Sequence, residues 1–107
     1  MYKVLLVDDE RLELNTLKNY VDWNKMGIGT VYTANNGLQA LETAQYKKPD
    51  IVFTDIRMPV MDGIEFARQL REKDKRVKII FLTGYDEMDF IRQAFRLSAT
   101  DYILKPF

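Results

Sequence analysis

Short runs of apolar residues recur along the chain, separated by more polar stretches. The run KVLLV at residues 3–7 is almost wholly apolar, and so are IVFT at 51–54 and VKIIFLT at 77–83. A weaker run, TVYTA, occupies 30–34, and DYIL occupies 101–104. Runs this short and this apolar are typical of β-strands that are covered on both faces. The pattern therefore predicts five strands.

The segments between these runs repeat their apolar residues with the period of an amphipathic helix. Asn35 or Asn36 can cap the second of them, and Asp62 with Glu65 has capping-box spacing before the third. We therefore predict four helices between the five strands. The residues expected to face inward are Leu14, Leu17 and Val21 in the helix at 10–21, Leu38, Leu41 and Ala44 in the second, Phe66, Ala67 and Leu70 in the third, and Ile91, Ala94 and Phe95 in the helix at 85–97.

Strands and helices thus alternate from one end of the sequence to the other. Apolar strands that alternate with amphipathic helices predict a parallel sheet with helices on both faces. Right-handed crossovers leave few arrangements, of which the doubly wound five-stranded sheet is the commonest. We expect the α/β, flavodoxin-like strand order 2-1-3-4-5 in one domain, residues 1–107, because no linker or repeat divides the sequence.

Composition limits the chemistry that this chain can perform. The 107 residues are 47% hydrophobic and 30% charged, which suits one compact domain. The sequence contains no cysteine and no histidine, so thiolate and imidazole chemistry are excluded. Sixteen basic residues balance sixteen acidic ones, and we expect no global attraction to nucleic acid or to anionic lipid. No apolar stretch approaches a membrane span and no signal-peptide pattern is present, so a cytoplasmic protein is expected.

Polar side chains stand at the ends of four predicted strands. Asp8 and Asp9 follow the first strand, Asp55 follows the third, Thr83 ends the fourth, and Lys105 follows the fifth. Ligands of open α/β sheets bind at the carboxyl ends of the strands, beside the point where the strand order reverses. With the order 2-1-3-4-5, these side chains are expected to meet in one pocket at that edge.

Such a pocket indicates a metal site and phosphoryl transfer. Carboxylates that lie close together repel one another unless a cation relieves the repulsion, and all-oxygen ligands favour Mg²⁺ or Mn²⁺. The ion and a lysine neutralise charge on a transferring phosphoryl group, while a hydroxyl hydrogen-bonds one of its oxygens. A carboxylate can also be the nucleophile, which gives an aspartyl-phosphate.

Four blocks of the sequence carry a resemblance to a known family. VLLVDDE, DIVFTDIRMPVMDGIEF, IIFLTGY and DYILKPF resemble the signature blocks of response-regulator receiver domains in two-component signalling. TGY, DYILKP and the DW…MG turn are similar to receivers attached to AraC-type DNA-binding domains. Position by position, the resemblance implies a phosphoacceptor at Asp55, metal ligands at Asp8, Asp9, Asp55 and the backbone carbonyl of Arg57, contacts to the phosphoryl group from Thr83 and Lys105, and a switch formed by Thr83 and Tyr102.

The resemblance also implies partners. A sensor histidine kinase would donate the phosphoryl group, Mg²⁺ (or Mn²⁺) would be the cofactor, and an attached AraC-type DNA-binding output domain would receive the signal. The chain itself is expected to be a signalling domain and not an enzyme, without direct binding to nucleic acid or membrane, and with a homodimer surface at the fourth helix and fifth strand. Receivers carry a fifth helix after the last strand, so we expect residues 1–107 to be a receiver truncated before it.

Three other functions remain compatible with parts of the pattern. A flavodoxin-like ligand-binding domain shares the strand order, although Asp8-Asp9-Glu10 stands where a glycine-rich phosphate loop would be needed. A phosphorylation-independent interaction module would keep the fold without using the pocket. A phosphohydrolase with an aspartyl nucleophile would need an aspartate two residues after Asp55, where Arg57 stands.

Overall fold

The computed structural model describes residues 1–84, 92 and 101–104. The strands are β1 (Tyr2–Val7), β2 (Ile28–Ala34), β3 (Ile51–Asp55), β4 (Lys78–Thr83) and β5 (Asp101–Leu104). The helices are α1 (Arg11–Tyr20), α2 (Gly37–Lys47) and α3 (Gly63–Lys73), and a short 3-10 helix covers Asn24–Met26. The helix predicted at 85–97 lies outside the described residues apart from Arg92, and in β5 only the side chain of Ile103 is described.

The five strands form one parallel sheet in the order β2-β1-β3-β4-β5. The chain leaves β1 for β2 on one side and returns to β3 on the other, so the strand order reverses between β1 and β3. This confirms the predicted strand order and the doubly wound, flavodoxin-like α/β fold. The carboxyl ends of β1 and β3 lie at the switch point, where open sheets of this kind bind their ligands.

Helices cover both faces of the sheet because the strands carry apolar side chains on both. Leu5 and Val7 of β1 point into a core that α2 and α3 close, whereas Val4 and Leu6 point into a second core on the α1 side. Trp23 belongs to the second core, where its ring packs edge-on against Phe53 with centroids 5.7 Å apart. None of the helices in the described part of the chain has the length and apolar character needed to cross a bilayer.

Most predicted elements are confirmed, with shifted ends. β1 begins one residue earlier than predicted, and β4 one residue later. β2 begins at Ile28 because the left-handed Gly27 (φ 84°) ends the 3-10 helix, and the chain is extended from the next residue onward. β3 includes Asp55, so this carboxylate stands on the sheet itself.

The inward face predicted for α2 is wrong at Leu38. This side chain is 52% exposed, whereas Gly37, Ala40 and Ala44 are buried against the rest of the fold. Small residues let α2 approach the sheet closely, so they form the buried line, and Leu41 packs at its margin. Leu38 lies one turn before Leu41 at the same margin and is left in solvent.

Candidate functional site

Three aspartates meet where β1 and β3 end side by side. Val7 of β1 pairs with Thr54 of β3, so the residues that follow, Asp8 and Asp55, reach the same edge of the sheet, and Asp9 comes next. One carboxylate oxygen from each aspartate lies within 4.8 Å of the corresponding oxygens of the other two. We call Asp8, Asp9 and Asp55 the acidic cluster. Its three members are among the five side chains that the strand-end rule predicted to meet, the others being Thr83 and Lys105.

The acidic cluster is only partly open to solvent. Asp8 is fully buried and Asp55 is 5% exposed, while Asp9 is exposed. Asp8 Oδ1 accepts a hydrogen bond from the Glu10 N–H at 2.9 Å, and Asp55 Oδ1 accepts one from the Ile56 N–H at 3.0 Å. Each of these bonds holds the Oδ1 atom of a buried carboxylate in place. The acidic cluster as a whole lies at the edge of the sheet.

The donor chemistry of the acidic cluster fits a hard divalent cation. Carboxylates within 4.8 Å of one another repel strongly when two of them are buried, and a cation between them would relieve that repulsion. Without histidine or cysteine in the chain, only oxygen ligands are available. Oxygen ligands favour Mg²⁺ or Mn²⁺ over zinc or copper.

Two buried threonines stand near the carboxyl ends of β3 and β4. Thr83, at the end of β4, has no exposed surface, and its hydroxyl donates to the Gly84 carbonyl at 3.2 Å. Leu82 pairs with Asp55, so Thr83 stands one residue beyond that pair at the same edge. Thr54 is also fully buried, and its hydroxyl donates to the Asp55 carbonyl at 2.9 Å. The sequence analysis did not single out Thr54, because a threonine within an apolar strand gives no sign that its hydroxyl bonds to the backbone of Asp55.

The remaining predicted site residues are described in part or not at all. Lys105 lies outside the described residues, as does the side chain of Tyr102. The backbone of β5 pairs with β4, with Leu104 opposite Thr83. Arg57 is exposed and lines an open cavity of about 420 Å³ together with Asp9 and Asp62.

The β3–α3 loop is held close to the acidic cluster by two glycines. A Cβ added at Gly63 would collide with the backbone carbonyl of Asp55, and the Gly63 N–H donates to the Ile56 carbonyl at 2.7 Å. At Gly37, the first residue of α2, an added Cβ would lie 2.5 Å from the Met61 carbonyl oxygen. The start of α3 therefore packs directly on the end of β3, and the loop between them packs on α2.

Two acidic side chains stand at the start of α3, Asp62 at the cap and Glu65 in the first turn. Asp62 caps the helix by accepting a hydrogen bond from the Glu65 N–H at 2.8 Å, as its spacing predicted. A hydrogen bond from the Arg68 guanidinium lowers the pKa of Glu65 below its ordinary value. The same guanidinium also pairs with Glu72 at 2.8 Å. The Glu65 carboxylate is thus bound to its own helix.

Comparison with known proteins identifies the family. The family model of the response regulator receiver domain matches residues 4–107. The transcriptional regulatory protein YesN of Bacillus subtilis, described as uncharacterized, is 37% identical over 106 residues, which are 99% of this chain and 29% of YesN. The chain spans less than half the length of the curated relatives that it matches.

Solved structures of the same kind share the fold. The receiver domain of AraT, a response regulator from Geobacillus stearothermophilus, superposes with a TM-score of 0.92 at 39% identity, over 98% of this chain and 81% of that one. A two-component transcriptional regulator AraC from Clostridium phytofermentans superposes with a TM-score of 0.92 at 30% identity, over 100% and 83%. Because the family model covers nearly the whole sequence, this chain belongs to the response regulator receiver domain family, the signalling domains of two-component systems.

Proposed function

We propose that residues 1–107 act as a phosphoacceptor unit in which Asp55 receives a phosphoryl group from a phosphohistidine of a sensor histidine kinase. The observation that carries the proposal is the acidic cluster, in which Asp55 is buried at the switch point of the sheet beside Asp8 and Asp9. Burying a carboxylate at that position costs free energy unless a partner charge or a bound cation compensates it. Membership of the receiver family supports the same assignment.

Asp8, Asp9 and Asp55, with the backbone carbonyl of Arg57, would hold Mg²⁺ (or Mn²⁺). When bound, the ion supplies positive charge that offsets the charge of the carboxylates and of the phosphoryl oxygens. The support for this assignment is the donor set described above: three carboxylates with oxygens within 4.8 Å and no softer ligand in the chain.

In the transfer, Asp55 is the residue that forms a covalent bond with the phosphoryl group. A carboxylate oxygen of Asp55 attacks phosphorus as the bond from phosphorus to the kinase's imidazole nitrogen breaks, and the electron pair of that bond returns to the imidazole. The Asp55 Oδ1 hydrogen bond to the Ile56 N–H orients the carboxylate for this attack. We assign Lys105 the role of neutralising the phosphoryl oxygens and Thr83 the role of hydrogen-bonding one of them.

The phosphoryl group would then bias a two-state surface. Its added charge draws the Thr83 hydroxyl away from the Gly84 carbonyl, and Tyr102 follows into the space that Thr83 leaves. The surface formed by the fourth helix and β5 then changes its preference for a partner, including a second copy of the chain. In the whole protein we expect an AraC-type DNA-binding output domain to respond, since YesN and the regulator from Clostridium phytofermentans are named as transcriptional regulators.

The test is to incubate the protein with an acyl phosphate and Mg²⁺ and to measure its intact mass. We expect one phosphoryl adduct on the wild type and none on Asp55→Asn. Asp62→Asn is the matched control, because asparagine keeps the helix cap and the change removes an acid from the adjoining loop but not from the acidic cluster. An adduct on Asp55→Asn equal to that of the wild type would refute the assignment.

A further inference from the structure

Exposed basic side chains gather at the edge of the sheet opposite the acidic cluster. This edge contains the amino ends of β3 and β4 and the connections that lead into them from α2 and α3. Backbone hydrogen bonds join it, because the Asp50 N–H donates to the Lys3 carbonyl at 2.9 Å and the Lys78 N–H donates to the Asp50 carbonyl at 3.0 Å. We call its six exposed cations the basic edge: Lys47, Lys48, Lys73, Lys75, Arg76 and Lys78.

The two connections face each other across a cavity of about 570 Å³. Lys48 lines it from the α2 side, and Lys73 and Arg76 line it from the α3 side. Ala44 and Leu70 lie beneath them and are buried. The cavity therefore brings cations from separate segments of the chain to one surface, which the sequence alone did not indicate.

Three acids, Asp50, Glu72 and Asp74, lie at this edge, and they offset only part of the charge of the six cations. Asp50 Oδ2 accepts the Lys3 N–H at 2.8 Å, and Asp74 Oδ1 accepts the Arg76 N–H at 2.9 Å. Glu72 pairs with Arg68. In the part of the chain that the structure describes, no ion pair joins a member of the basic edge to an acidic side chain.

Helix dipoles explain the positions of only two of these six cations. A cation in the last turn of a helix is stabilised by the dipole, which explains Lys47 in α2 and Lys73 in α3. Lys75, Arg76 and Lys78 lie beyond the end of α3, so the dipole does not explain them. The positive charge that neither the helix dipoles nor the neighbouring acids offset is available to an anionic partner.

We propose that the basic edge binds the phosphate backbone of duplex DNA, in contrast to the expectation from the sequence that the chain does not bind nucleic acid directly. A group of lysine and arginine side chains on one surface is the electrostatic footprint of sequence-independent DNA binding. Five of the six members are lysines, a residue that is depleted at protein–protein interfaces but common in phosphate contacts. The total charge does not reveal this surface. Sixteen acidic residues balance the sixteen basic ones, and the acids include the acidic cluster at the opposite edge.

The choice of DNA over an acidic protein also rests on the proposed transcriptional function. A DNA-binding output domain would hold this chain near DNA at a high effective concentration. A weak contact from the basic edge would then increase the overall affinity of the protein for DNA. The basic edge lies away from the acidic cluster, so DNA can be bound while Asp55 remains accessible to a kinase.

The experiment measures binding of the 107-residue chain to a random-sequence DNA duplex by fluorescence anisotropy over a series of salt concentrations. We expect the logarithm of the binding constant to fall with the logarithm of salt by about 0.9 for each phosphate contacted. Replacing Lys75→Glu together with Arg76→Glu should weaken binding on the order of tenfold at low salt and reduce the slope by about 2. Lys18→Glu together with Lys25→Glu changes the total charge equally on the α1 side of the molecule, and should have a smaller effect.

Equal losses in the two double variants, or no salt-dependent binding by the wild type, would overturn the proposal. Tighter binding to polyglutamate than to DNA would overturn it in favour of an acidic protein partner. Circular dichroism checks folding, and Lys75→Gln with Arg76→Gln gives a milder version of the same test. Phosphorylation by an acyl phosphate, measured on the same variants, should stay at the wild-type level, so a failure of this proposal and a failure of the proposed function are separable.

Discussion

At the scale of single residues, Val60 holds a backbone conformation that its side chain disfavours. Its φ is 73°, and the Met61 N–H donates to the Pro59 carbonyl at 2.8 Å, which places Val60 at the centre of a γ-turn. A β-branched residue with positive φ is strained by about 1–3 kcal/mol. The side chain is 88% exposed, so packing does not offset that strain. The strain therefore lies in the loop that leads from the acidic cluster to α3.

We therefore predict that Val60→Gly stabilises the protein. Glycine removes the strain at positive φ but adds freedom to the unfolded chain, and the balance is a gain of about 1 kcal/mol in the free energy of unfolding. Urea denaturation measures it. Val60→Ala is the control, because alanine removes the β-branch and keeps Cβ, and we expect a smaller gain from it. If both variants were equally stable, the left-handed backbone would not be the source of the strain.

At the scale of elements, the sequence predicts the strands and the helices α1 and α3 well, because their apolar residues repeat with a clear period. It fails where the decisive contact is made by a small residue. The exposed Leu38 was predicted to be buried because leucine dominates the periodic pattern, whereas Gly37, Ala40 and Ala44 form the contact surface of α2. A pattern of apolar residues records hydrophobicity, but it does not record how closely two backbones approach.

The junction between β3 and α3 is the sharpest case of such an approach. Gly63 begins α3 directly against the Asp55 carbonyl, where no side chain fits. The sequence analysis identified Asp62 and Glu65 as the start of a helix, but it had no means of identifying Gly63 as a contact to the candidate site. This glycine couples the position of α3 to the position of Asp55.

Gly63→Ala should therefore destabilise the protein by about 2–4 kcal/mol, because the added methyl group overpacks a rigid backbone contact. Thermal unfolding followed by circular dichroism measures the loss. Gly29→Ala is the matched control, since the nearest atoms to its added Cβ belong to Met1, at 3.0 Å or more, and Met1 is an exposed terminal residue that can shift. We expect a change below about 0.5 kcal/mol there. Similar losses in the two variants would show that the Asp55 contact carries no special constraint.

At the scale of the whole molecule, the fold separates opposite charges that the sequence interleaves. The strand-end rule predicted that Asp8, Asp9 and Asp55 would meet, because the topology of a parallel sheet determines where strand ends lie. The sequence could not show that Asp8 is buried while the adjacent Asp9 is exposed, because that depends on how α1 leaves the sheet. It could not show the basic edge either, because two separate connections form it. Topology is thus predictable from pattern, but the distribution of charge requires the packed chain.

The acidic cluster should make the stability of the whole molecule depend on Mg²⁺. Without the ion, the close carboxylates destabilise the fold, because two unit charges 4.8 Å apart repel by about 3.5 kcal/mol at an effective dielectric constant near 20. Asp8→Asn keeps an oxygen that can accept the Glu10 N–H and removes one charge, so it should raise the free energy of unfolding measured without Mg²⁺. In the wild type, Mg²⁺ at about 100 times its Kd should add about 2.7 kcal/mol, and in Asp8→Asn that gain should largely disappear. Asp50→Asn, outside the cluster, should leave the Mg²⁺ response unchanged, and an equal response in Asp8→Asn would place the ion elsewhere in the molecule.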